Sequence, residues 1–339
     1  MDALDFGILR GLSPGGRARY WGGRRVVDPR ISARALAQAV GVGEARVEAR
    51  LRDLERRGFL RGTEFWPNPS LFGAAIAVSD IPVRETREVV RLFESLRRVD
   101  GVTFARDVLD EQERKVQVFY AAEAREPTAA RTERLRALAP GGGLEGPRRY
   151  WIPACEGEPS PDGWRLLRAF RKTPDASLAE VADALHLTVR AAARECRRLV
   201  EARAAWWTPD DATEEMPSAL LTVALVPGVD PTAVARWVAR NTERWMPIAT
   251  DGLGVPPSSP RRSVSGVVLV DPPSSLEGTV HGLLDVPGVE GVHRRFVLGS
   301  VSFRGWIDAR LEEGPGREGG PAPTGRHGTG PVGGSGPRK

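Results

Sequence analysis

The sequence predicts an α+β chain in which one composite unit is used twice: three helices with a short β-hairpin, then a β-α-β-β-α-β segment. Two observations predict it. The chain matches itself at a constant offset of 145 residues, pairing Ala35-Leu36-Ala37 with Glu180-Val181-Ala182, Leu54 with Leu199, Pro82 with Pro227, Val89 with Val234 and Arg91 with Arg236. An offset that holds across helices and strands is the mark of a duplicated unit. Each copy also runs from apolar residues spaced three and four apart, the period of a helix face, into alternating apolar residues, the period of a half-buried strand.

In the first copy, Leu4, Ile8 and Leu12 share a helical face, although Gly7 and Gly11 are poor helix formers. A loop over 13–31 interleaves Arg17, Arg19, Arg24 and Arg25 with Tyr20 and Trp21; it suits phosphate contacts or a plain surface loop equally. Ser32 can cap a helix with Leu36, Ala37 and Val40 inward, and Gly41 permits a tight turn. The next helix turns Val47, Leu51 and Leu54 inward and stops at Gly58, a natural left-handed cap. Residues 59–65 read as a hairpin wing. Two short helices joined by a glycine turn make a helix-turn-helix, whose second helix enters the major groove of DNA. That helix exposes Arg46 and Arg50 early, where guanine edges are within reach, and Arg52, Arg56 and Arg57 later, where phosphates are. A merely solvated amphipathic helix has the same pattern, and Glu44 and Glu48 oppose docking by repelling phosphates.

The second copy places Trp164, Leu167 and Phe170 in its first helix, and Leu178, Val181 and Leu185 in the next, behind Ser177. Thr188 is a good N-cap for a helix over 189–200. This helix buries Ala192, Cys196 and Leu199 and exposes Arg190, Arg194, Arg197 and Arg198. Without acids in its first turn, it is electrostatically the better DNA binder. His186 and Arg203 stand where the first copy has Gly41 and Gly58, so both must accept a left-handed or altered backbone. Trp206 and Trp207 fall where the second wing begins, as packing residues or stacking contacts.

Strands over 74–81, 102–109, 115–122 and 149–154, with helices over 84–98 and 128–138, make a ferredoxin-like β-α-β-β-α-β plan. The second copy repeats it through 220–226, 231–243, 247–251, 264–270, 276–284 and 292–298. The expected division is a winged helix-turn-helix domain over 1–73, a ferredoxin-like domain over 74–156, a second such pair over 157–213 and 214–311, and a disordered Gly/Pro-rich tail over 312–339.

Composition narrows the partners. The chain has 339 residues, 41% of them hydrophobic and 27% charged, as a folded multidomain protein requires. Its net charge is +5, and residues 1–72 hold 13 arginines against 8 acids while 161–208 hold 9 basic residues against 6. The positive excess therefore sits on the helix-turn-helix segments, where an anionic partner is expected. Cys155 and Cys196 are too far apart for a zinc ribbon and too few for a disulfide framework, as in a reducing cytoplasm. His186, His281, His293 and His327 form no metal-binding spacing, so neither metal nor cofactor is expected. The acidic N-terminus and the lack of a long apolar run argue against a signal peptide or membrane span, so a cytoplasmic protein is expected.

Residues 35–60 resemble, without gaps, the helix-turn-helix of Lrp/AsnC-type transcription regulators, and 180–205 resemble it less closely. Pro67-Asn68-Pro69-Ser70-Leu71-Phe72-Gly73 is similar to that family's link into its α/β domain. The resemblance implies a tandem, two-copy regulator of double-stranded DNA. It places Gly43, Ala45, Arg46, Glu48, Ala49 and Arg50 against DNA in the first copy, and Thr188, Arg190, Ala191, Ala193 and Arg194 in the second. It also implies pairing through the α/β domains, as a homodimer or as an intramolecular pseudo-dimer. Effector-binding members carry a glycine turn before the third strand; here Asp110-Glu111-Gln112-Glu113-Arg114 has none, which leaves an effector pocket doubtful. Two rivals stay open. Siroheme-type decarboxylases resemble the same family, but no His-Asn-Tyr cluster lies near Val102 or Pro247, so the chain is expected not to be an enzyme. An interaction module that has lost DNA binding would explain Glu44, Glu48, His186 and Arg203.

Overall fold

A computed structural model describes residues 4–5, 7–8, 33–110, 113–123, 128–150, 154–174, 176–211, 218–229, 234, 245–249, 262–269 and 274–314. Helices α1 (Ala33–Val40) and α2 (Glu44–Arg56) lead into strand β1 (Leu60–Pro67). A single 3-10 turn, Pro69–Phe72, connects to β2 (Ala74–Pro82), α3 (Thr86–Leu96), β3 (Val102–Leu109), β4 (Arg114–Glu123), α4 (Thr128–Leu138) and β5 (Glu145–Tyr150). The second half contains α5 (Pro161–Lys172), α6 (Leu178–Ala184), α7 (Val189–Glu201), β6 (Ala205–Asp211), β7 (Ser218–Leu225) and β8 (Trp245–Ala249). It closes with β9 (Arg262–Leu269), α8 (Ser274–Leu284), β10 (Val289–Ser302) and α9 (Gly305–Glu313). Among the described residues, no helix is long and apolar enough to cross a membrane.

Eight strands form one antiparallel sheet in the order β5-β2-β4-β3-β10-β7-β9-β8, and β1 and β6 form a separate antiparallel pair. Within each block of four the order is last, first, third, second, so both halves use the same connections. Strand β10 joins the blocks: Val289 to Val297 pair with β7, and Phe296 to Ser302 pair with β3. Strand alternation decides which face each residue serves. Ala77 and Ile81 of β2 with Val116, Val118 and Tyr120 of β4 meet Val89, Leu92 and Leu96 of α3, while Ile76, Val78 and Phe119 cluster together separately. Burying each such aliphatic side chain contributes about 1.5–3 kcal/mol before chain entropy is set against it.

The two helical units differ in their surroundings. Ile8, Leu36, Ala37, Val47 and Leu54 make a small core of their own. The core of α5, α6 and α7 instead continues into Phe65 of β1, Ala205 of β6, and Trp306, Ile307 and Leu311 of α9.

Several expectations are corrected. The segment after α2 is not a hairpin wing: it is one strand whose partner is β6, with Phe65 opposite Trp207 and Trp66 opposite Trp206. Each half thus supplies one strand of a ribbon, and neither needs a tight turn of its own. The strand expected over 149–154 starts earlier, at Glu145, because its outward residues pair with charge: Arg148 with Asp80 at 2.7 Å and Glu145 with Lys115 at 3.4 Å. That edge carries no apolar alternation to reveal it. Strand β8 begins at Trp245 rather than Pro247. The expected tail yields its first residues to α9, whose Trp306, Ile307 and Leu311 are buried. The loop over 13–31, the helix over 231–243 apart from Val234, and residues 315–339 lie outside the described residues.

Candidate nucleic-acid interface

In the first unit, Leu36 and Ala37 of α1 face Val47 and Leu54 of α2, and Gly41 makes the turn at φ 73°. Burying that stripe turns Gly43, Ala45, Arg46, Glu48, Ala49 and Arg52 to solvent. Arg50 is turned aside instead. Its Nε lies 3.1 Å from Asp5 Oδ1, and Asp5 is 1% exposed, so the guanidinium neutralises a buried carboxylate. Asp53 draws in Arg56 at 2.6 Å and Arg57 at 3.2 Å, and the Arg57 guanidinium also sits 4.7 Å over the Phe59 ring. Sequence spacing does not reveal the Asp5 contact, which reaches Arg50 only through tertiary packing, whereas Asp53 meets Arg56 and Arg57 at the ordinary i,i+3 and i,i+4 helix spacing.

In the second unit, Ser177 and Glu180 form a reciprocal capping box at the start of α6. His186 then turns the chain at φ 55°, and Arg203 ends the unit at φ 57°. Thr188 caps α7, its Oγ1 accepting from the Ala191 N–H at 3.1 Å. Ala192, Glu195, Cys196, Leu199 and Val200 are buried, while Arg190, Arg194, Arg197 and Arg198 are exposed; Ala191 and Ala193 are half-buried. Glu195 was not foreseen. The Ser160 hydroxyl donates to it at 2.5 Å and Arg198 at 3.1 Å, which satisfies the carboxylate inside the core. Among the described residues, no ion pair engages Arg190, Arg194 or Arg197.

Helix α9 ties this unit to the sheet. Arg171 pairs with Asp308 at 2.5 Å and donates to the Phe65 carbonyl at 2.8 Å, and Arg168 donates to the Leu311 carbonyl at 2.7 Å. From the sheet, Glu123 accepts from Trp306 at 2.7 Å and from Arg310 at 2.6 Å. Burial pushes the Glu123 carboxyl upward, but the hydrogen bonds from Arg310 and Trp306 outweigh it and hold the group below the usual carboxylate range. Burial, with Glu156 beside it, pushes the Cys155 thiol up to about 11, so it stays protonated at neutral pH. His281 on α8 and His293 on β10 are both exposed.

Against known proteins, residues 26–61 match the family described as winged helix-turn-helix DNA-binding. No curated protein matches the sequence. The solved siroheme decarboxylase NirDL, in complex with an iron-uroporphyrin III analogue, is similar over 92% of this chain and 99% of its own, at 12% identity and a TM-score of 0.48. An AsnC family transcriptional regulator from Agrobacterium tumefaciens is similar over 45% of this chain and 92% of its own, at 17% identity and a TM-score of 0.33. AsnC of E. coli is similar over 38% and 77%, at 17% identity and a TM-score of 0.26. The expectation that the chain is not an enzyme is overturned: two solved structures that align along 92% of it are of the siroheme decarboxylase NirDL, an enzyme. The family match thus covers a segment, residues 26–61, that is similar to a winged helix-turn-helix DNA-binding domain.

Proposed function

We propose that the chain is a cytoplasmic transcription regulator of Lrp/AsnC type, holding duplex DNA with two arginine-bearing helices, α2 and α7. The observation that carries this reading is the match of residues 26–61 to a DNA-binding winged helix, within which α2 turns Arg46 and Arg52 to solvent. The second unit supports it. Its turn residues His186 and Arg203 repeat the positive φ of Gly41 and Gly58 at the same positions of the duplicated unit, and α7 exposes Arg190, Arg194, Arg197 and Arg198. On this reading each winged helix precedes a ferredoxin-like domain, and the β1–β6 ribbon makes the two copies an intramolecular pseudo-dimer.

Fluorescence anisotropy of the full chain against labelled duplexes tests it. Binding is expected at low salt and should weaken at least about tenfold between 50 and 200 mM salt, as released counterions demand. A preference for some sequences should persist at the higher salt. Affinity independent of salt, or absent at low salt, would overturn the reading.

A further inference from the structure

Resting on the DNA-binding reading above, we infer that the preferred duplex is asymmetric, with α7 as the principal reader and α2 as the subordinate one. Two equal helices held side by side would select an inverted repeat. These two are not equal. Helix α2 carries Arg46, Arg50, Arg52 and Arg56 against Glu44, Glu48, Asp53 and Glu55, so its own charges cancel. Helix α7 carries four arginines against Glu195, which is buried, and Glu201, its last residue.

The key exchange is at one position of the duplicated unit, where α2 has Asp53 and α7 has Arg198. Asp53 draws Arg56 and Arg57 onto itself. Arg50 is engaged by buried Asp5, and moving it to a phosphate would break that ion pair. At the helix start, α2 places Glu44 on the positive end of the dipole, whereas α7 has no acid in its first turn. Phosphates therefore meet exposed Glu44 and Glu48 on α2, and on α7 the exposed guanidinium groups of Arg190, Arg194 and Arg197, which are in no ion pair among the described residues.

Packing points the same way by an independent route. The core beneath α7 is continuous with β1, β6 and α9, and Arg171 clamps α5 to Asp308. The α1–α2 unit keeps a separate core. A reader already fixed to its frame loses less freedom on binding.

Selection of duplexes from a randomised pool by the full chain, followed by titration of the selected duplex, tests the inference. The expected consensus has one block of specified bases and no inverted repeat. R190A with R194A should erase that block and weaken binding by about tenfold or more. R46A with R52A should leave the block intact and cost only a few-fold. D53N, which frees Arg56 and Arg57, should tighten binding and steepen its salt dependence. An inverted-repeat consensus with equal losses from the two double variants would overturn the asymmetry while leaving DNA binding in place. No enrichment, together with no salt-dependent binding by any variant or by the unaltered chain, would overturn the DNA-binding reading itself.

Discussion

The side-chain amide of Asn68 donates to the carbonyl oxygen of Arg203 at 2.8 Å, across 135 residues of sequence. Arg203 sits at φ 57°, where a Cβ crowds the following carbonyl. Asn68 is wholly buried; its N–H donates to the Ala204 carbonyl at 2.8 Å, and its Oδ1 accepts from the Ser70 N–H at 3.0 Å. One residue of the first half therefore holds a strained turn of the second.

Replacing Asn68 by Ala should cost about 1–3 kcal/mol, because the Arg203 carbonyl and the Ser70 N–H both lose a partner in a part-buried place. Urea unfolding followed by tryptophan fluorescence reads the loss. A change within experimental scatter would mean that the turn holds itself.

His186 offers the opposite case. It is exposed at φ 55°, and glycine occupies the matching position in the first half. His186→Gly should stabilise by up to about 1 kcal/mol, the relief of left-handed strain exceeding the added freedom of the unfolded chain. His186→Val, branched at Cβ, should destabilise. Thermal melts of the two variants should move in opposite directions, and a shared direction would refute the strain account.

Gly101 has φ +85°, and a Cβ there would lie 2.5 Å from Cζ of the buried Arg131. The Arg131 guanidinium donates to the Ala121 carbonyl, so it is not free to swing aside. Gly101→Ala should destabilise by about 2–4 kcal/mol through overpacking added to backbone strain. Calorimetry showing an unchanged melting temperature would count against it.

Glu123 makes the anchoring of α9 sensitive to acid. Its folded-state carboxyl is held low by Arg310 and Trp306, so its stabilisation is complete above the ordinary glutamate range and is lost as pH falls through the lowered value. The unaltered protein should thus lose more stability than Glu123→Gln between pH 7 and pH 3, with Trp306 emission reporting the release of α9. Parallel pH profiles for the two proteins would show that Glu123 contributes nothing to that dependence.

The local features of this fold were legible, and the partners were not. Spacing found α1, α2, α6 and α7, and the offset of 145 residues pointed to His186 and Arg203 as needing a left-handed or altered backbone, of which the left-handed one is found. Periodicity reports which face of a segment is buried and is silent on what buries it. That silence explains the missing hairpin: the pattern of β1 is equally satisfied by a neighbouring strand or by one more than a hundred residues away. It also explains Arg50, exposed by helical phase yet engaged by Asp5. Helix α9 escaped notice because its short apolar face borders a Gly/Pro-rich run.

Strand β10 is held in common by both blocks of the sheet, its early residues bonded to β7 and its late ones to β3. A fragment ending before α5 would leave the outer N–H and C=O groups of β3 unpaired, an open invitation to aggregation. The two halves are therefore not separable modules: either one alone would expose a sheet edge that the other now covers.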